Sequence, residues 1–258
     1  MAGRIAVFVY GVASYALFFG TFLYAVGFVG NLGVPKSIDS GAEGTFAGAL
    51  LTNALLLGVF AVQHSVMARP AFKRAWTRIV PAPAERSTYV LFSSLALVLL
   101  FWQWRPMGGV VWDVRNESAR VALHAICATG WLTVLTTTFL IDHFDLFGLR
   151  QVWLHVRGRP YTPLAFGTPG PYRVVRHPLY VGWLLAFWAA PTMTAAHLVF
   201  ALVTTGYILG AIRLEERDLL AAHGEPYRRY RERVPMLIPR LGLRRRTERR
   251  PATADARS

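Results

Sequence analysis

The apolar residues of this chain come in long blocks rather than in short alternating or amphipathic patterns. An α-helix needs roughly 20 apolar residues to cross a bilayer core of about 30 Å. Four blocks reach or approach that length, and they predict transmembrane helices over residues 5–30, 45–68, 87–104 and 119–141. The pattern therefore predicts an all-α fold, a polytopic transmembrane helix bundle.

A further apolar run, residues 178–212, is too long for a single crossing. As one straight helix it would extend about 52 Å, and Pro191 interrupts it. Because proline disrupts a helix interior, we predict a helical hairpin with arms over 178–190 and 195–214. Its turn is expected near the membrane surface opposite the two open ends.

The distribution of basic residues predicts the orientation of these spans. Residues 67–87 and 142–176 are rich in Arg and Lys, whereas residues 31–44 are not, so the positive-inside rule assigns the first two to the cytoplasm. The most basic stretch, residues 226–250, has ten Arg and two Glu. It stays on the cytoplasmic side only if the hairpin crosses the membrane twice, which gives the hairpin independent support.

The composition and charge of the chain indicate which kinds of molecule it contacts. The chain has 258 residues, of which 54% are hydrophobic and 16% charged, with a net charge of +14. No nucleic-acid-binding module is recognisable, and the Arg residues concentrate beside apolar spans, so we expect them to contact anionic membrane lipid. Residues 226–235 are predicted to form a cytoplasmic interfacial helix and residues 240–258 a basic, disordered tail. The lone Cys127 excludes an intrachain disulfide.

Polar side chains cluster where the predicted hairpin opens. Residues 176–180 read Arg-His-Pro-Leu-Tyr, and Pro178 suits the first position of a helix, whose free N–H groups and dipole favour an anion. Glu215 and Glu216 follow the second arm. These groups suit a ligand with a carboxylate, an amine, a ribose and a cation, as S-adenosylmethionine has. An Arg–Glu pair that only anchors the helices explains the same residues equally well.

The order and spacing of these residues resemble the C-terminal module of isoprenylcysteine carboxyl methyltransferases and phospholipid methyltransferases. More narrowly, nearly the whole chain up to about Pro239 resembles the membrane-bound bacterial methanethiol S-methyltransferases. The motifs that carry the narrower resemblance are QHSVMARP at 63–70, DHFDLFGLRQVW at 142–153 and PMLIP at 235–239.

The resemblance implies methyl transfer from S-adenosylmethionine to the small thiol methanethiol, which gives dimethyl sulfide, in a bacterial inner membrane with the site facing the cytoplasm. It also implies the cofactor-binding residues, which are Tyr172, His177, Pro178, Leu179, Tyr180, Glu215 and Glu216. One position departs from the pattern. The prenylcysteine enzymes carry a substrate-binding Arg one turn before the Glu pair, and this chain has Ala211 there. The departure argues against a prenylated carboxylate substrate.

Methylation of a thiol needs a base or a cation that favours the thiolate, because alkyl thiols are mostly protonated near neutral pH. Arg176, Arg213 and His143 are the candidates, and the sequence does not choose among them. A structural role in its loop is the main alternative for His143, since a complete set of metal ligands around it is missing and no metal is expected. His64 is predicted to line the substrate pocket, because ionisable groups inside membranes are usually functional.

Two other functions fit the same sequence. A methyltransferase acting on a prenylcysteine or a phospholipid would use the same cofactor site. A non-enzymatic haem-binding or transport protein would use His64 and His124 as axial ligands. In every case we expect a transmembrane region over 1–141, a module over 142–239 that contains the hairpin, and the tail over 240–258.

Overall fold

The computed structural model describes residues 1–42 and 44–240, so the predicted basic tail lies outside the described residues except for Arg240. The described part of the chain is mainly helical. In chain order its helices and strands are α1 (Ala2–Gly30), α2 (Phe46–Ala68), α3 (Pro70–Trp76), α4 (Glu85–Gln103), β1 (Val110–Asp113), α5 (Glu117–Leu140), α6 (His143–Leu146), α7 (Leu149–Val156), α8 (Pro178–Trp188), β2 (Thr192–Thr194), α9 (Ala195–His223) and α10 (Glu225–Arg233).

Five helices in the described residues, α1, α2, α4, α5 and α9, are long and apolar enough to cross a membrane. The first four correspond to the four predicted spans, with ends within three residues of the predicted ones. Their outward faces expose large apolar side chains such as Leu55, Val62 and Leu132, which a bilayer would cover. The protein is therefore an integral membrane protein with the predicted all-α bundle.

The predicted hairpin is observed as the pair α8 and α9, but its second arm was predicted too short. Its first arm, α8, has 11 residues, fewer than the roughly 20 that a full crossing needs, so the predicted second crossing stays a prediction. Helix α9 continues past residue 214 and carries both Glu215 and Glu216 inside it before ending at His223. Residues 214–223 are mostly strong helix formers, so leaving the apolar run does not end the helix. It ends where Gly224 adopts a positive φ of 57°.

The turn of the hairpin contains a strand that the sequence did not predict. Strand β2 pairs antiparallel with β1, with Val110 opposite Thr194 and Asp113 opposite Thr192. The side chain of Thr194 also caps α9 by accepting a hydrogen bond from the His197 N–H at 3.1 Å. The turn is thus fixed by backbone pairing to the loop between α4 and α5.

Helix α8 packs most closely on α5, through two glycines. A Cβ atom built on Gly182 would lie 2.8 Å from the Gly130 carbonyl oxygen and 2.9 Å from the Val134 nitrogen. A Cβ atom on Gly130 would lie 2.6 Å from the Ala186 nitrogen. Small residues let two membrane helices approach this closely, and the approach holds the short α8 in place.

The buried aromatic core lies towards the turn of the hairpin. It joins the ends of α1, α4 and α8 to the start of α9, and Trp104 and Phe28 at its centre have no exposed surface. Trp104 donates its Nε1–H to the Ile38 carbonyl at 3.1 Å, so its one polar group is satisfied. The polar cluster at the open ends of α8 and α9 lies at the other end of this hairpin.

Candidate functional site

The two glutamates of α9 have different surroundings, and Glu216 is the enclosed one. Its Oε1 accepts a hydrogen bond from Arg176 Nε at 2.7 Å and lies 3.0 Å from His177 Nε2. The side chains of Arg176 and Glu216 are each 12% exposed, and that of His177 is 4% exposed. A carboxylate only accepts hydrogen bonds, so the Nε2 nitrogen of His177 carries the proton. Glu216 therefore joins the start of α8 to α9.

Arg176 also holds the segment that follows α10. Its Nη1 donates to the carbonyls of Arg231 at 3.0 Å and Val234 at 2.6 Å, and its backbone N–H donates to the Pro235 carbonyl at 2.8 Å. The neighbouring His177 N–H donates to Met236 at 3.2 Å. The Arg176 guanidinium is already hydrogen-bonded to Glu216 and to carbonyl oxygens. The structure therefore adds no support for the prediction that Arg176 stabilises a thiolate.

Glu215 is the open carboxylate. Its side chain is 44% exposed, and its Oε2 accepts one hydrogen bond, from the Tyr180 hydroxyl at 2.9 Å. Within residues 1–42 and 44–240 no Lys or Arg nitrogen lies within 4.0 Å of its oxygens, and His177 Nδ1 lies 3.9 Å away. Successive helical residues point about 100° apart, so Glu215 faces away from the pairs that surround Glu216. Glu215 therefore keeps acceptor capacity for a ligand.

Aromatic rings form a wall beside these carboxylates. Tyr230 donates its hydroxyl to the Tyr172 carbonyl at 2.6 Å, and Phe166 lies 5.8 Å from Tyr227 and 5.7 Å from Tyr230 between ring centroids. Burial raises the pKa of Tyr172, and the negative charge of Glu215 raises it further. Burial likewise raises the pKa of Tyr230 to about 12. The phenols are therefore neutral at physiological pH.

One hydroxyl in this wall lacks a partner. Tyr227 is 1% exposed, and its Oη makes no hydrogen bond to the described residues. A buried hydroxyl without a partner costs roughly 1–3 kcal/mol, so it is a natural contact for a polar group of a ligand.

A second group of polar contacts joins α9 to α2. Tyr207 and Ser65 lie 3.2 Å apart through their hydroxyls, and Asp218 accepts a hydrogen bond from Arg69 at 2.8 Å. Tyr207 and Asp218 are eleven residues apart, which is about three helical turns, so both point to the same side of α9. Glu215 lies between them along the helix. The open carboxylate is therefore close to the cytoplasmic end of α2 that the sequence predicts.

His64, the predicted pocket residue, lies on this side. Its Nε2 is 2.8 Å from the Tyr89 hydroxyl, and its Nδ1 is 3.1 Å from Ser93 Oγ. The Phe60 ring stacks on the imidazole at 5.1 Å and 27°. Gln63 adds an amide whose Oε1 is buried without a hydrogen-bond partner among the described residues.

The structure does not bring the other two candidate thiolate partners to this cluster. The His143 ring lies 2.8 Å from Tyr15 Oη and 2.8 Å from Thr138 Oγ1, and it stacks on Phe139 at 4.2 Å. Burial lowers the pKa of His143. Arg213 is exposed on α9, and it makes no side-chain hydrogen bond or ion pair to residues 1–42 or 44–240.

The sequence analysis did not single out Tyr89 and Tyr207, whose hydroxyls contact His64 and Ser65. Both tyrosines lie in apolar helices. Hydroxyl side chains within an apolar helix, such as Ser87, Thr88 and Tyr89 in α4, were the sequence feature that could have indicated them. As for metals, the part of the chain that the structure describes has no group of three or more His, Cys, Asp or Glu side chains able to hold an ion.

Comparisons with known proteins support the resemblance. The chain is 59% identical to the methanethiol S-methyltransferase of Crocosphaera subtropica over 93% of its own length and 94% of the relative's. It is 57% identical to the methanethiol S-methyltransferase of Mycobacterium tuberculosis, over 92% and 97% of the two lengths. Methanethiol S-methyltransferase 2 of Bradyrhizobium diazoefficiens is 54% identical over 96% and 95%. No protein-family model and no solved structure matches.

Proposed function

Because the chain belongs to the methanethiol S-methyltransferase family, we propose that it methylates methanethiol where the α8–α9 hairpin opens, with S-adenosylmethionine as the methyl donor. The location is inferred from Glu215, whose half-exposed carboxylate accepts a single hydrogen bond, from Tyr180. An acceptor left open beside buried rings suits a cationic ligand with hydroxyl and amino groups.

The residues around Glu215 fit this donor. At the start of α8 the N–H groups of Tyr180 and Val181 donate to the His177 carbonyl. The Leu179 N–H, which follows His177 and Pro178, is the one that suits the donor's carboxylate. Glu215 suits its amine or ribose hydroxyls, and the neutral rings of Tyr172 and Tyr180 suit its sulfonium or adenine. Glu216, enclosed by Arg176 and His177, would support this wall rather than contact the donor.

The donor supplies a methyl group that its sulfonium has already activated, so the protein's own work is to orient the thiol and exclude water. No metal is needed for this. His64 lies on the side of the cluster where Tyr207 meets Ser65, and we assign the thiol to the space next to it. Ala211, on α9 between Tyr207 and Glu215, offers no cation to the carboxylate of a prenylated substrate, which favours the small thiol.

The proposed site faces the cytoplasm. The site opens on the same side as the basic loop that follows α2 and the basic residues of α10, and the positive-inside rule assigns such segments to the cytoplasm. The named relatives are bacterial, so we propose the inner membrane of a bacterium. The Arg residues of α10 would face anionic lipid headgroups.

The test of the activity is to express the protein in cells that lack it, supply methanethiol and measure dimethyl sulfide in the headspace. Absence of product above the empty-vector level, with the protein present in the membrane, would refute the proposed reaction. The prenylcysteine and phospholipid alternatives predict product only with those substrates. A haem protein predicts a haem absorption spectrum and no methylation.

The test of the site is Glu215→Gln, measured as the Kd for S-adenosylmethionine by calorimetry on the purified protein. Loss of a hydrogen bond to a charged group, worth about 1.5–3 kcal/mol, predicts roughly a 10- to 100-fold weaker Kd. Glu225→Gln is the matched control, because Glu225 is an exposed carboxylate on α10 that pairs only with Arg228 and Arg229 among the described residues. Equal affinities of the two variants for S-adenosylmethionine would show that the donor does not bind at Glu215.

A further inference from the structure

The contacts assigned to the donor leave a polar network between α2 and α4 unused. Tyr89 is 8% exposed, and its hydroxyl lies 2.8 Å from His64 Nε2. Ser93 Oγ lies 3.1 Å from the other ring nitrogen, and Gln63 donates to the same Ser93 oxygen at 3.3 Å. Buried polar groups in an apolar helix pair are costly to retain without a use.

We propose that Tyr89 and His64 form the relay that removes the thiol proton of methanethiol. The inference rests on the proposed function, because it assigns a role within that reaction. It supplies a general base, which none of Arg176, Arg213 and His143 offers from its present contacts. Proton removal by a positioned side chain typically accelerates a reaction 10²- to 10⁴-fold, by about the amount that an unactivated thiol requires.

The Tyr89 hydroxyl lies 3.1 Å from His64 Nδ1 as well as 2.8 Å from Nε2, so the contacts leave the tautomer open and the relay specifies it. With Nδ1–H donating to Ser93 Oγ, neutral His64 accepts the Tyr89 O–H through Nε2. The thiol proton moves to Tyr89 Oη while the Tyr89 proton moves to His64 Nε2. The electron pair of the S–H bond stays on sulfur and gives the thiolate that accepts the methyl group. The resulting imidazolium releases its proton to water after each turnover.

A guanidinium next to this network would favour the thiolate and would favour release of the proton from the imidazolium after it forms. The guanidinium carbon of Arg86 lies 5.1 Å from the centre of the Tyr89 ring. Lys73 on α3 is close enough to Arg86 that burial and this guanidinium together lower its pKa. On the facing side, Asp218 is paired with Arg69, and Glu215 lies beside the donor site. Tyr89 therefore has the guanidinium of Arg86 on one side and the open carboxylate of Glu215 on the other.

The relay is also close enough to the donor site to serve it. His64 adjoins Ser65, which contacts Tyr207, and Glu215 follows Tyr207 by about 12 Å along α9. The short side chain of Ala211 stands between these two positions on the same side of the helix. The donor would extend from Glu215 into this interval and bring its methyl group towards the thiol.

The test compares thiols of different acidity in Tyr89→Phe and His64→Gln. With methanethiol, kcat/KM should fall about 100-fold or more. With trifluoroethanethiol or an aryl thiol, which are far more ionised at neutral pH, the loss should be under about tenfold because the proton has already left. Ultraviolet absorbance of methanethiol bound to donor-free protein should reveal thiolate in the wild type and much less of it in both variants.

Tyr10→Phe is the matched control, since Tyr10 donates its hydroxyl to Thr88, the residue before Tyr89, at 2.9 Å. It should behave like the wild type with every thiol. S-adenosylmethionine affinity, measured by calorimetry, should stay unchanged in all three variants and so report correct folding. Equal losses of kcat/KM with acidic and ordinary thiols, or thiolate absorbance that is unchanged in the variants, would overturn the relay. The proposed function would still hold in that case, provided that the wild-type protein methylates methanethiol.

Discussion

The two ends of the α8–α9 hairpin are built differently. At the turn, strand pairing and a buried aromatic core hold the chain, and Trp104 bonds its Nε1–H to Ile38, although Trp131 Nε1 and His197 Nδ1 have no partner among the described residues. At the open end, side chains from distant parts of the sequence meet, and several retain unused hydrogen-bonding capacity, including Glu215 and Tyr227. The contrast supports the proposal that the open end holds the ligands.

A similar contrast separates the two neighbouring glutamates at the open end. Glu216 is enclosed by Arg176 and His177, whereas Glu215 is half exposed and bonded to Tyr180. One residue therefore maintains the structure and its neighbour is available to a ligand. Variants that affect stability without binding, or the reverse, can test this division.

The largest effect is expected where α8 crosses α5. Gly182→Leu would force a side chain into backbone atoms 2.8 and 2.9 Å away, so α8 must move or fail to pack. We expect more than about 3 kcal/mol of destabilisation and little folded protein after detergent extraction, measured by size-exclusion chromatography. Gly206→Leu on the opposite arm is the control, because a Cβ atom built on this exposed glycine meets nothing within 4 Å. Similar yields of folded protein would contradict the importance of the crossing.

A smaller loss is expected from Glu216→Ala. The change leaves Arg176 and His177, both largely buried, without their shared acceptor, and breaking such a pair costs roughly 3 kcal/mol. Titration of the solubilised protein with sodium dodecyl sulfate measures the free energy of unfolding. Glu215→Ala, whose partner is a single tyrosine hydroxyl, should cost under about 1.5 kcal/mol in the same titration. Equal losses would mean that both glutamates hold the structure.

The spans and the motif cluster could be predicted from sequence because both are local signals. Long apolar blocks locate membrane helices, and Pro191 correctly indicated where the hairpin turns. The difference between Glu215 and Glu216 was missed because α9 was expected to end at residue 214. Once the helix is seen to continue, the rotation per residue separates the two side chains.

The remaining features depend on residues far apart in sequence. The β1–β2 pair joins Val110 to Thr194, and the relay joins His64 to Tyr89, so no periodicity within one segment reveals either contact. Tyr89 left a weak signal as a hydroxyl in an apolar helix, yet a sequence does not tell which helix that hydroxyl faces. Hydropathy thus predicted the layout, whereas the partners of each polar group required the packed structure.

The smallest effect is expected at the turn, from Thr194→Val. This nearly isosteric change removes the cap on the His197 N–H and the hydrogen bond that Thr194 donates to Asp39. Loss of a helix cap costs about 1 kcal/mol, which the detergent titration would detect. The Kd for S-adenosylmethionine and the kcat for methanethiol should both match the wild type, because strand pairing still holds the turn. A changed Kd would mean that the turn end influences ligand binding, and the separation of the two ends would fail.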